Sequence, residues 1–141
     1  MKKRRIDPAL AGMLENANGH YRAGRLAEAE NAYRAVLALE AAHADALGQL
    51  GLILHARDRH QEAADHLAAS VKVNPRSAVT WSNYGMVLAA LGRHDEALAA
   101  YERALILVPR EPSILANRGN ALTSLGRPTE AHDARDVVVV V

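Results

Sequence analysis

Residues 78–111 read AVTWSNYGMVLAALGRHDEALAAYERALILVPRE, and this stretch decides the fold. Trp81, Tyr84, Leu88 and Leu91 follow one another at spacings of 3, 4 and 3, which places them on one face of a helix. Gly92 can close that helix in a left-handed turn. A second helical pattern starts near Asp95, with Ala97, Tyr101, Ala104 and Leu105 on one face, and Pro109 stops it. Gly85 and Ala97 are small where bulk is expected, which suits two helix backbones that cross closely. The stretch is therefore a helical hairpin with an apolar side that it cannot cover alone.

The pattern recurs at a spacing of 34 residues. Gly92 falls in register with Gly24, Asp58 and Gly126. Arg93 matches Arg25, Arg59 and Arg127, and Glu96 matches Glu28, Glu62 and Glu130. Ala97 matches Ala29, Ala63 and Ala131, Tyr101 matches Tyr33 and Leu67, and Pro109 matches Pro75. A fixed period in this range is the signature of stacked repeats, each covering its neighbour's apolar side.

Trp81, Tyr84-Gly85, Leu88, Gly92, Ala97, Tyr101, Ala104 and Pro109 match the motif of the tetratricopeptide repeat (TPR) family, which the chain resembles over about residues 10–141. The resemblance implies an all-α fold, a right-handed superhelical array of antiparallel helix pairs. The repeats expected are 10–43, 44–77, 78–111 and a partial 112–141, after a basic tail and helix start at 1–9. Repeat 10–43 departs from the motif at Asn16 and Ala41, and the last repeat departs at Arg118 and Arg135.

Taken in order, the pattern predicts helices ending at about Arg22, then over about 26–39, 44–57, 60–72, 78–91, 95–107 and 112–125, with an eighth beginning near Pro128. Asp7 reads as an N-cap with Pro8 in the first turn, and Ser77 reads as another cap. Asp58 replaces glycine in one left-handed turn at some cost. No linker interrupts the pattern. Val137–Val141 form a run of valines, which fits a frayed last turn, a self-associating edge or a chain cut from a longer array.

The composition limits the function. A chain of 141 residues has one domain's length, and half of it is hydrophobic. A net charge of +1 provides no long-range field toward nucleic acid or membrane. Cysteine is absent, which excludes a disulfide framework and a thiol nucleophile. No apolar run approaches the ~18–20 residues of a membrane span. The start, MKKRRIDPAL, does not read as a secretory signal, and the expected location is the cytoplasm. Arginine heavily outnumbers lysine, pointing to a GC-rich bacterial genome.

No catalytic, cofactor or metal site is expected. HExxH, GxSxG, GxGxxG and P-loop patterns are all missing. His60 and His94 occupy equivalent turns one period apart. Glu28, Glu62, Glu96 and Glu130 read as first-turn glutamates, each three residues after an arginine. The chain reads as no enzyme and no nucleic-acid binder.

The family resemblance implies that the first helix of each pair lines a concave groove. There, Glu15, Gln49, Asn83 and Asn117 share one register. A carboxamide offers a donor and an acceptor, so it can pair with a peptide backbone whatever the side chains are. Asn83, Asn117 and Gln49 thereby resemble the asparagine ladder of the TPR array in O-linked N-acetylglucosamine transferase. Asn18 and Asn120 share a second register with the apolar Leu52 and Met86, and His55 with Tyr21 lies nearby. Alternatively, these amides hydrogen-bond between neighbouring repeats and bind nothing. The places of the family's carboxylate clamp hold Leu14, Asn18, Gln49, Val79 and Asn83, so its cations are missing.

The expected function is a non-catalytic scaffold or adaptor that binds a protein or peptide ligand in the groove. The alternatives are the substrate-recruiting part of a larger bacterial glycosyltransferase or sulfotransferase, and a TPR protein that self-assembles, with homo-oligomers forming through the C-terminal repeat.

Overall fold

The structure, a computed structural model, describes residues 7–127. The eighth helix and the valine run expected from the sequence lie outside the described residues. Within them the chain is all-α: α1 (Pro8–Arg22), α2 (Leu26–Leu39), α3 (Ala44–Ala56), α4 (His60–Val73), α5 (Ala78–Ala90), α6 (His94–Leu107) and α7 (Pro112–Ser124). Every described boundary falls within about one residue of the sequence expectation, because the signals that set it are local.

Asp7 caps α1 by accepting the Ala9 N–H at 2.9 Å, and Ser77 caps α5 by accepting the Thr80 N–H at 3.2 Å. His43 Nδ1 caps α3 from Ala46 at 3.1 Å, a role that its residue type does not announce. The turns between paired helices need positive φ. Gly24 and Gly92 stand at 77°, Gly126 at 75°, and Asp58 takes the same conformation at 61°. An aspartate there carries a steric cost that glycine avoids.

The chain divides into two compact units, Met1–Val73 and Asn74–Val141. In the first, α2 packs on α1 and α3, and α4 pairs with α3. Its core holds Tyr33, Val36, Leu50, Ile53, Leu54 and Leu67, all essentially inaccessible. Each such side chain contributes about 1.5–3 kcal/mol by leaving water. In the second, α6 packs on α5 and α7 around Val87, Leu88, Leu98, Tyr101 and Leu122. Gly85 fits against the Tyr101 ring. A Cβ there would sit 2.5 Å from Tyr101 Cε1, so the small residue is a condition of the close helix crossing. Trp81 and Tyr84, which carry the repeat motif, are only half-buried.

A charged cluster ties the first unit together. Glu30, 6% exposed, accepts from Arg34 at 3.0 Å, Arg57 at 3.0 Å and Arg59 at 2.9 Å, and Arg59 also holds Glu62 at 2.9 Å. Burial pushes the Glu30 carboxyl up, but the hydrogen bonds and charges of Arg34 and Arg59 outweigh burial and hold it below the usual carboxylate range. Arg93 and Glu96 pair at 2.6 Å, repeating the Arg59–Glu62 contact in the second unit. At the matching place in the first repeat, Arg25 instead donates to His20 Nδ1 at 3.0 Å.

Candidate functional site

In the first unit, the candidate residues on α1 and α3 are partly spent on the fold. The Asn18 carbonyl accepts the hydroxyl of Tyr33 on α2. His55 Nδ1 lies 2.8 Å from His60 Nδ1, and His60 Nε2 lies 3.6 Å from Asp58. Burial first, and then the neighbouring His60, hold the His55 imidazole below its ordinary pKa, so His55 favours the neutral form. Leu52 is half-buried. Gln49 differs from its neighbours: its Oε1 is buried and has no hydrogen-bond partner.

In the second unit, α5 carries Asn83 and Met86, and α7 carries Asn117 and Asn120. Among the described residues none of the three asparagine amides is hydrogen-bonded. The structure brings Met86, Asn117 and Asn120 together in a pocket of about 220 Å³, with Ala89 from α5, His94 and Tyr101 from α6, and Ala121 and Ser124 from α7. His94 Nδ1 is buried there without a partner. The Tyr101 hydroxyl and the Ser124 hydroxyl are also unpaired among the described residues. Burial raises the Tyr101 pKa, which keeps its hydroxyl a protonated donor.

Sequence reasoning placed Met86, Asn117 and Asn120 on this face but missed His94, Tyr101 and Ser124. His94 read as a turn residue and Tyr101 as core. The signal for Ser124 was available, since it lies four residues beyond Asn120 and so on the same side of α7.

A separate cleft of about 400 Å³ is lined by Trp81, Tyr84, Leu88, Glu96, Ala99, Ala100 and Arg103. The Arg103 guanidinium stands 5.0 Å from the Trp81 ring centroid, and Trp81 Nε1 donates to the Pro75 carbonyl at 2.8 Å. Among the described residues, no group of three or more histidine, cysteine or acidic side chains is placed to hold a metal ion. No helix among them is long and apolar enough to cross a membrane.

Two family models, both described as tetratricopeptide repeat, match residues 14–78 and 76–134. A curated relative, cellulose synthase operon protein C of Komagataeibacter xylinus, is 37% identical over 59 residues. The match covers 42% of this chain but only 4% of that protein, so the chain aligns with a small fraction of this relative's length. Among solved structures, MamA is similar with a TM-score of 0.85 at 24% identity, over 89% of this chain and 73% of that one. The first TPR of Spaghetti (RPAP3), solved bound to the HSP90 peptide SRMEEVD, is similar with a TM-score of 0.81 at 18% identity, over 88% of this chain and 99% of that one. The Arabidopsis OM64 TPR domain is similar with a TM-score of 0.76 at 20% identity, over 80% and 93%.

Proposed function

This chain belongs to the tetratricopeptide repeat family, and on that premise we propose that it is a non-catalytic scaffold or adaptor that holds an extended protein segment against the face carrying Asn83, Met86, Asn117 and Asn120. The observation that carries this reading is the set of unspent amides. Asn83, Asn117 and Asn120 have no partners among the described residues; Asn83 and Asn117 are half-buried and Asn120 is exposed, so a ligand can reach them. Each amide offers a peptide backbone both a donor and an acceptor.

The neighbour solved with an HSP90 peptide supports peptide binding as a use of this fold. Its ligand is acidic, whereas the arginines near the candidate face here are engaged: Arg118 by Glu102 at 3.7 Å and Arg93 by Glu96. That favours a neutral segment as ligand, and it disfavours nucleic acid or an anionic membrane. The setting we propose is the cytoplasm of a bacterium. Rigid helices lose little entropy on binding, but a short extended segment buries little area, so the affinity expected is on the order of micromolar.

A second reading draws on the curated relative. Its 37% identity over 59 residues favours a module that recruits substrate or partner within a larger protein, in the setting of a cellulose synthase operon.

The test is affinity capture from a bacterial lysate, comparing the native chain with an Asn83→Ala/Asn117→Ala variant whose helicity is intact. A partner held by the first and lost by the second supports the proposed face. Equal retention by both sinks it.

A further inference from the structure

The pocket between α5, α6 and α7 differs from the open helix face beside it, since residues of three helices line it. We infer that this pocket receives a neutral carboxamide side chain, glutamine or asparagine, of the bound segment, and so sets which partners the module accepts. This rests on the reading of α5 and α7 as the segment-holding face and adds to it a rule of selection.

The pocket's volume of about 220 Å³ is that of about seven waters, room for one long side chain and no folded element. Met86, Ala89, Ala121 and the Tyr101 ring offer apolar surface to a methylene stem. Beyond them, the side chains of Asn117, Asn120, Ser124 and Tyr101 provide hydrogen-bonding groups, none paired among the described residues, and the His94 ring closes the same side. A carboxamide presents two donors and an acceptor, so it can use acceptors and donors from the two asparagines and the hydroxyls together.

The other side-chain classes fit worse. A carboxylate needs a cation, yet no lysine or arginine lines the pocket, and Arg118 on the same helix is held by Glu102. An ammonium or guanidinium needs a carboxylate, and none lines the pocket either. Either charge would be moved out of water without a partner. An aliphatic side chain would desolvate the amides and hydroxyls and pair none of them.

The equivalent place in the first unit shows how such a pocket closes. There, Tyr33 matches Tyr101 and Asn18 matches Met86, and the Tyr33 hydroxyl is consumed by the Asn18 carbonyl. Met86 has no acceptor of that strength to offer, so the Tyr101 hydroxyl remains available.

The experiment is selection of a displayed library of random dodecapeptides on the full chain. It is run in parallel on Asn83→Ala, which alters the face outside the pocket, and on Asn120→Leu/Ser124→Leu, which fills the pocket. The expected result is enrichment of glutamine or asparagine at one register of the native pool. The best synthetic peptide should weaken at least about tenfold when that residue becomes glutamate or leucine, because a site built for hydrogen bonds rejects the analogue lacking them. That discrimination should vanish on the filled variant. Should the filled variant not fold by circular dichroism, His94→Ala takes its place with the same expectation. Peptides that require Asn83 but show no carboxamide preference would overturn the pocket and leave the face standing. So would a preference that survives filling of the pocket. Recovery of no peptide by the native chain would overturn both.

Discussion

The α1–α2–α3 region and the α5–α6–α7 region are built from the same repeat pattern, yet they spend their polar groups differently. In the first, buried Glu30 gathers Arg34, Arg57 and Arg59, and Tyr33 donates to Asn18. In the second, the equivalents of Glu30, Arg34 and Asn18 are Leu98, Glu102 and Met86. Among the described residues the Glu30-centred cluster has no counterpart there, and His94, Tyr101, Asn117, Asn120 and Ser124 carry unpaired groups around a pocket. Backbone geometry is shared, with the same left-handed turns at Gly24 and Gly92. One repeat scaffold thus supports a region whose polar chemistry is turned inward to hold helices together, and another whose unspent polar chemistry we propose is left for a ligand.

The largest effect that would break this contrast is at Glu30. Glu30→Ala strands Arg57 and leaves Arg34 and Arg59 with Glu62 as their carboxylate; all three arginines are more than a third exposed, so the ~3–5 kcal/mol of a fully buried pair is discounted to about 2 kcal/mol. Native-state hydrogen exchange should report faster opening of α2, α3 and α4. Loss of protection confined to α5–α7 would refute the assignment of the cluster to the first unit.

Acid should produce a related loss. The folded Glu30 carboxyl lies below its ordinary value, so its contribution is full above that value and is lost as pH falls through the lower folded one. His55, depressed mainly by burial, acts in the same direction at higher pH, because the unfolded chain takes up its proton first. The stability of the first unit should therefore decline in two stages on acidification. In Glu30→Leu the lower stage should shrink in a denaturation series across pH, Glu62 on Arg59 being the remaining depressed carboxyl of the first unit.

A paired test at the tyrosines comes next. Tyr33→Phe should cost about 1 kcal/mol, since it leaves the half-buried Asn18 carbonyl without its donor. Tyr101→Phe should cost less than about 0.5 kcal/mol, because no partner is lost. Equal costs in urea denaturation would remove the distinction between a closed and an open site.

The smallest expected effect is at the turn. Asp58→Gly should stabilise by about 0.5 kcal/mol, the left-handed strain being relieved against a larger unfolded-state entropy. Gly92→Asp in the second unit should show the reverse sign in the same assay.

The fold was largely legible because its signals are local. Proline, caps and positive-φ residues mark boundaries within a few residues of themselves, and the period of 34 aligns them. The pocket lining was legible for Met86, Asn117 and Asn120, since register places a side chain on a helix side. What register cannot show is whether a side chain is already occupied. Asn18 and Asn120 share a register, yet only Asn18 meets a tyrosine hydroxyl. The Glu30 cluster was invisible for a similar reason. Its equivalents are Ala64 and Leu98, so no period marks it, and Arg57 and Arg59 reach it from 27 and 29 residues away. The pocket needed α7 set against α6 before His94 and Tyr101 could be seen as neighbours of Asn120.

The most direct test of the account is nuclear magnetic resonance mapping on the isotopically labelled chain, titrated with a peptide recovered by the display selection. The account predicts that the side-chain amides of Asn83, Asn117 and Asn120 and the imidazole of His94 shift together and saturate at one dissociation constant. Shifts confined to the separate cleft around Trp81, Ala99 and Arg103, with those four groups unmoved, would contradict it.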